Sequence, residues 1–439
     1  MKRDKFQDYN FFVMVLPLVS IFLITGPFMP DLVIVITSIF FLIFFKKELI
    51  FLIREENILL FFLFFWIMMI ISSILSDDPF YSLKSSFFYI RFIIFSVAVF
   101  YLIKDNIEII EKFYFYLKIA LFIVCVASLF EFFIGYDIFL DKKPSYRLTG
   151  TFGDEQIVGS FISKIIPFFI SLSFYLKKHL KLEVIFLFIL CYIITILSGE
   201  RTAIFFINFF SFFAIFFWPD ISIRKKICAT IFTLLMFFSI IFVVEDVKKR
   251  LIDLSLSQFG IFILDTQKND LKLQDYRRDT INTNKIYFFS KSHEIHFLTA
   301  INIFKTKPII GAGPKMFRKN CSDPEVYIAR DSCTTHPHNI LGQVLAELGT
   351  IGFLFYLTAI FYLIKEFFIT IKNKLALENN FFTSKLCLIF VFSQNLFFLL
   401  PAGNFLNNFM AAQMFLPLGF YIYVNRKIKS NNISDINNN

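Results

Sequence analysis

Apolar stretches of membrane-spanning length recur along this chain from Phe11 to Val424, and nothing else in it constrains the fold as strongly. Crossing a bilayer takes about 20 mostly apolar residues, because a helix rises about 1.5 Å per residue and the hydrocarbon layer is about 30 Å thick. A water-soluble domain cannot hide so many helices that are apolar all round. The 57% hydrophobic content agrees, since soluble domains sit at roughly 45–50%. The segments fall near residues 10–27, 30–45, 57–75, 85–103, 112–134, 157–176, 183–199, 202–218, 226–244, 338–364, 382–400 and 405–424. The first two are also compatible with a bent hairpin around Gly26-Pro27 and Pro30.

Charge orients these segments, because Lys and Arg concentrate in cytoplasmic loops. With the N-terminus inside, the inner segments hold twenty Lys and Arg residues, among them Lys46, Lys47, Arg54, Lys177, Lys178, Lys181, Arg224 and Arg426. The short outer loops hold five: Lys84, Lys142, Lys143, Arg147 and Arg201. One span more or fewer would scramble the alternation downstream. The expectation is an all-α polytopic membrane protein of about twelve transmembrane helices with both termini cytoplasmic. Topology thus accounts for the net charge of +10, and no nucleic-acid partner is needed. Met1 to Lys5 is basic and Asn10 to Ile24 apolar, but no small-residue cleavage site follows, so the segment reads as a first helix.

On this topology residues 1–244 carry spans one to nine, 245–337 form a large outer loop, 338–428 carry spans ten to twelve, and 429–439 are an Asn-rich, disordered cytoplasmic tail. The large loop has a polar middle, Gln267 to Asn284, and an amphipathic helix over His293 to Phe304. Turns follow at Lys307-Pro308 and Gly311-Ala312-Gly313-Pro314. Cys125, Cys191, Cys228 and Cys387 lie in apolar runs, and no zinc-type cysteine spacing occurs.

Four features can carry chemistry. His336-Pro337-His338-Asn339 runs into span ten, where Pro337 suits a first helical turn and His338 would project from the outer end. Neutral His is the usual general base near neutral pH; an interfacial His capping a tightly packed helix is the other reading. On a continuous helix Gly342, Leu345, Gly349 and Gly352 share the His338 face, with Glu347 opposite. Arg201 follows the Ser198-Gly199-Glu200 turn, a place for an anion or for a snorkelling Arg. Lys142, Lys143 and Arg147 put positive charge outside, where it is disfavoured. Arg91 sits roughly 9 Å inside span four, facing either a cavity or the interface. All these cations belong to the outer half of the membrane, which describes a pocket for an anionic lipid headgroup.

These segments resemble the O-antigen ligase and polymerase superfamily of bacterial envelope glycan enzymes. The likeness rests on Arg147-Leu-Thr-Gly-Thr-Phe-Gly153, Ser198-Gly-Glu-Arg-Thr202, Pro308-Ile-Ile-Gly-Ala-Gly-Pro314 and His338-Asn339 followed by Gly349-Thr-Ile-Gly352, in that order. The resemblance implies a C-type glycosyltransferase-like fold with a periplasmic loop between spans nine and ten, in the inner membrane. It implies transfer of a glycan from an undecaprenyl-pyrophosphate carrier, without metal or other cofactor, to lipid A core (a ligase) or to a growing glycan (a polymerase). His338 would be the base, with His336 sharing or replacing it, and Arg201 would hold the pyrophosphate, with Arg147 and Arg91 adding positive charge. Relatives carry an Arg at the start of the amphipathic helix where this chain has His293, so Arg318, Arg277, Arg278 or a protonated His293 would substitute. Gly349 and Gly352 would be structural. An oxidising periplasm would pair Cys321 with Cys333. A transporter for an anionic substrate is the competing class, although no internal repeat of the kind transporters show is visible.

Overall fold

The computed structural model describes residues 13–139, 147–219, 221–258, 287, 290–373 and 379–437. Among the described residues the fold is all helix, with no β-strand. Each apolar segment read from the sequence coincides with helix: 57–75 with Asn57–Ile74, 157–176 with Val158–Tyr175, and 226–244 with Ile223–Val243. Among the described residues six helices are long and apolar enough to cross a membrane, or seven if the pair Phe28–Phe44 and Lys46–Glu55 is one span bent by 100°. Val13–Thr25, Leu182–Leu197 and Arg201–Phe217 are apolar but shorter.

Gly26 separates the first two apolar segments with φ 93°, so they form a hairpin. Helix Lys46–Glu55 was not evident in the sequence, where its charges read as loop. Its Leu49 and Leu52 are buried while Lys46, Lys47 and Phe51 are exposed, the pattern of a helix lying on a membrane surface. Helix Val158–Tyr175 is central: 83% of its most apolar window is buried, and it packs on Leu182–Leu197, Arg201–Phe217 and Asn379–Asn395. Small residues permit such approaches. Ser171 donates to the Ser384 carbonyl at 2.9 Å, and a methyl group on Gly419 would lie 2.6 Å from Val99. Phenylalanine fills the remaining space, with Phe92, Phe113, Phe161, Phe168 and Phe210 fully buried. Ile223–Val243 lies at the edge, only 11% buried.

The last helix is Asn408–Asn437, and one expectation before it is corrected. The long helix of span ten starts at Ile340, not at His338. Gln267 to Asn284, Arg277, Arg278, Lys142 and Lys143 lie outside the described residues.

Candidate functional site

The site is built on a break in the helix Ile340–Lys372. Gly349 has φ 64° and ψ −158°, a conformation essentially open to glycine alone. Hydrogen bonds leave the helix there and cross to the Pro308–Gly313 segment. Ala312 N–H donates to the Ala346 carbonyl and Gly313 N–H to the Glu347 carbonyl, both at 2.9 Å; Thr350 N–H donates to Pro308 O at 2.8 Å and Ile351 N–H to Ile309 O at 3.1 Å. A Cβ on Gly349 would fall 2.5 Å from Gly311 N, and one on Gly311 would fall 2.3 Å from the Glu347 carbonyl carbon. The two glycine motifs seen in the sequence are therefore one crossing of two backbones. The single glycine face drawn from His338 through Gly352 does not exist, because His338 precedes the helix and Gly349 breaks it. Gly342 does permit a close approach: Phe297 of the amphipathic helix would lie 3.1 Å from its Cβ.

The same segment and its flanks dock on the end of helix Asn57–Ile74 and on the start of the next, Pro79–Ser86. Ser72 Oγ donates to Ile310 O at 2.7 Å and Ser82 Oγ to Pro314 O at 2.9 Å, while Asp77 pairs with Lys307 and Asp78 with Lys319. Cys321 and Cys333 are bonded, with Cα atoms 5.1 Å apart, and close the loop that leads to His336.

Asn339 caps the helix, accepting from Gly342 N–H at 3.0 Å, and anchors to Phe398 O at 2.8 Å. His338 lies just outside with φ 51°, a left-handed conformation uncommon for a residue with a side chain. Its carbonyl accepts from Ala402 N–H at 2.8 Å. His336 is held at both nitrogens: Nδ1 accepts from Thr335 Oγ1 at 2.9 Å and Nε2–H donates to Ala402 O at 3.2 Å. The two rings are 4.1 Å apart. The amphipathic helix, Lys291–Thr306, adds His296 and His293, whose rings lie 5.4 and 5.8 Å from that of His338. His293 Nδ1 is paired with Ser290 Oγ at 2.7 Å. Burial, then the neighbouring His296, lowers the His338 pKa to about 4; burial followed by His338 lowers His336 and His293 to about 3. All three rings are neutral at pH 7. Although imidazoles gather here, no group of three or more His, Cys, Asp or Glu among the described residues is placed to share a metal ion.

Beside the histidines opens a cavity of about 860 Å³ lined by Arg147, Lys164, Arg201, Arg250, His293, His336 and His338. Arg201 heads the helix Arg201–Phe217, and its Nη1 donates to Ser255 Oγ at 3.1 Å. Arg147 pairs with Glu200 at 3.3 Å. Burial pushes the Glu200 carboxyl up, opposed by Arg147 and by donation from Ser160 Oγ and Gly159 N–H at 2.5 and 2.6 Å. Away from these groups the wall is apolar: Phe61, Phe62 and Phe65 from Asn57–Ile74, Phe355, Ala359 and Leu363 beyond the Gly349 break, and Met410 and Met414 from the last helix. The shape suits an amphiphile, with a charged head at the Arg–His wall and a chain lying between helices.

Two residues expected at the site do not line the cavity. Arg91 is committed to Asp31, with Nε and Nη2 at 2.9 and 2.8 Å from Oδ1, and to the Phe88 carbonyl at 2.6 Å. Arg318, on the short helix Phe317–Asn320, reaches His336 only through its field. Conversely Lys164, Arg250 and His296 escaped the sequence reading. Lys164 is a lone charge inside an apolar run, which was a usable signal, since intramembrane cations are expensive. Arg250 was hidden in the basic run Lys248-Lys249-Arg250, and His296 was read as part of an amphipathic helix.

A protein-family model described as O-antigen ligase matches residues 186–357, a little under two-fifths of the chain. The match takes in Arg201, Arg250, all four clustered histidines and the Gly349 crossing, and it leaves out Arg147 and Lys164. No curated protein matches the sequence.

Proposed function

Because the chain carries an O-antigen ligase domain in an all-helical, membrane-spanning fold, we propose that it transfers a glycan from an undecaprenyl-pyrophosphate carrier to an acceptor hydroxyl at the periplasmic face of the inner membrane. The observation that carries this reading is a neutral imidazole, His338, on the cationic wall of a cavity whose lining is otherwise mostly apolar. In the transfer, His338 takes the proton of the acceptor hydroxyl as its oxygen bonds to the anomeric carbon. The bond from that carbon to the diphosphate oxygen breaks, and its electron pair leaves with the diphosphate. Negative charge grows on the leaving group, and Arg201, which lines the same cavity as His338, stabilises it. Orientation and charge stabilisation by the protein suffice for this chemistry, and no metal step is required. His336 is less suited to be the base, since both its nitrogens already have partners.

Lipid A core and a growing glycan chain are the two acceptors consistent with this reading. The test is surface-glycan profiling of a deletion strain carrying wild-type protein, His338→Ala or Arg201→Ala. Both variants are expected to reach the membrane and leave the glycan unrestored. Full restoration by His338→Ala removes the base assignment; full restoration by both removes the glycan-transfer reading.

A further inference from the structure

An imidazole base takes a proton at one ring nitrogen, and a partner on the other nitrogen fixes its tautomer and the orientation of its ring. For His338 that other nitrogen is Nε2, which lies 3.4 Å from Thr334 Oγ1. Among the described residues this is the one hydrogen bond that either ring nitrogen of His338 makes. The rings of His336, His296 and His293 surround it at 4.1, 5.4 and 5.8 Å. A neutral imidazole has a single N–H, and a hydroxyl can either donate or accept. If Thr334 donated to Nε2, the Nδ1–H would be half-buried with no acceptor among the described residues, which is the costlier arrangement. If Nε2–H donates to Thr334, both groups are satisfied and the Nδ1 lone pair stays open. The chain before Thr334 is fixed from three directions. Cys333 is bonded to Cys321, which is buried and closes the helix Phe317–Asn320. Ser332 Oγ accepts from the N–H groups of Ile328 and Ala329 at 2.9 and 3.0 Å. Asp331 accepts from Ser292 of the amphipathic helix at 2.8 Å.

We infer that Thr334 is the positioning residue of His338: its hydroxyl, anchored by the Cys321–Cys333 bond beside it, accepts from Nε2–H and leaves Nδ1 as the atom that takes the proton of the acceptor hydroxyl. The inference rests on the proposed function and adds to it an orienting residue and a proton-taking atom. As the proton moves onto Nδ1 the ring becomes an imidazolium, and its Nε2–H bond to Thr334 becomes charge-assisted. That gain is made in the transition state and not in the bound ground state, so it acts on kcat more than on KM.

Two measurements on the full-length protein in lipid nanodiscs test this. Nitrogen NMR of isotope-labelled histidines, with His338→Gln identifying the His338 signals, should show Nε2 protonated and Nδ1 bare; the opposite tautomer overturns the inference. Transfer kinetics then use lipid-linked glycan extracted from the deletion strain as the varied donor and envelope lipids of the same strain as the acceptor. Thr334→Val should lower kcat about tenfold with KM little changed. It should also move the acidic limb of kcat to lower pH, because an imidazolium without its acceptor gives up its proton more readily. Thr334→Ser should restore most of the rate. Reduction of the disulfide should slow wild type and add little to Thr334→Val; a reduced wild type as fast as the oxidised one overturns the anchoring. If Thr334→Val transfers as wild type does while His338→Gln does not, the role of Thr334 is overturned and the proposed function stands. Equal losses in Thr334→Ser and Thr334→Val overturn it too, since the hydroxyl is then not what matters. If wild type transfers nothing from this donor, the proposed function falls and the inference with it. Should Thr334→Val fail to fold, the tautomer of the wild type decides.

Discussion

His338 is defined by its backbone as much as by its ring. A left-handed φ of 51° is held by Ala402, whose N–H binds the His338 carbonyl and whose carbonyl receives the His336 Nε2–H. His336 therefore positions its neighbour, and the two residues should respond differently to the same substitution. Glutamine retains an N–H donor for Ala402 but is no base. His336→Gln should keep a substantial fraction of transfer activity, whereas His338→Gln should lose on the order of a hundredfold or more; equal losses would contradict the division of roles. The pH dependence follows from burial. The free protein needs neutral His338, so the acidic limb of kcat/KM should lie near its lowered pKa of about 4. A bound diphosphate favours the imidazolium and raises that pKa, so the acidic limb of kcat should lie at higher pH. A kcat limb at or below that of kcat/KM excludes His338 as the titrating base. The three depressed histidines also contribute stability that is fully present above pH 6.5 and is lost progressively as pH falls from there, through about 4 for His338 and about 3 for His293 and His336. Sequence exposed His338 and Arg201 because they sit in short motifs. Lys164, a lone charge in an apolar run, signals its own cost but not its place, and Arg250 stayed hidden because no local pattern records which wall of a cavity a side chain reaches.

At the scale of elements, the apolar runs were legible because burial in lipid demands a fixed length of apolar helix. The ends were less so. Pro337 suits a first helical turn, yet the side chain of Asn339 wins the cap by binding Gly342 N–H, which moves His338 off the helix. The Gly349 break was illegible for a related reason: glycines spaced along a helix read as close packing whether or not the helix is continuous. Its partner Gly311 is far away in sequence, and only the fold brings them together. The crossing makes a sharp prediction. Gly349→Ala combines a glycine-only conformation with a Cβ 2.5 Å from Gly311 N, and should cost at least about 2 kcal/mol. Gly403→Ala, whose Cβ would meet only the flexible Met410 side chain at 3.4 Å, should be near neutral. Thermal denaturation of the two variants in detergent compares them directly, and a Gly349→Ala variant as stable as Gly403→Ala would show that the helix is not broken there.

At the scale of the molecule, membrane depth decides whether the cavity can meet a lipid-borne diphosphate. Leu182–Leu197 and Arg201–Phe217 have 16 and 17 residues, or about 24–26 Å of helix against a hydrocarbon layer of about 30 Å. The proposed function requires their shared turn, Ser198-Gly199-Glu200, to sit at headgroup level, where Arg201 would meet a lipid phosphate. Beyond the Gly349 break, helix from Thr350 to Lys372 spans about 34 Å by itself, so Ile340–Leu348 is free to stand above the bilayer against the amphipathic helix. Both placements require the turn at 198–200 and the start of the long helix to face the same side, as the charge alternation predicts with both termini cytoplasmic. Single cysteines at Asp154 and Asp323 should react with a membrane-impermeant thiol reagent from outside, whereas cysteines at Lys178 and Lys372 should react only after permeabilisation. A reversed pattern at 154 and 178 would invert the topology. Agreement there with reversal at 323 and 372 would reveal a miscounted span between them, and would put His338 and Arg201 on opposite faces, where no single diphosphate could touch both.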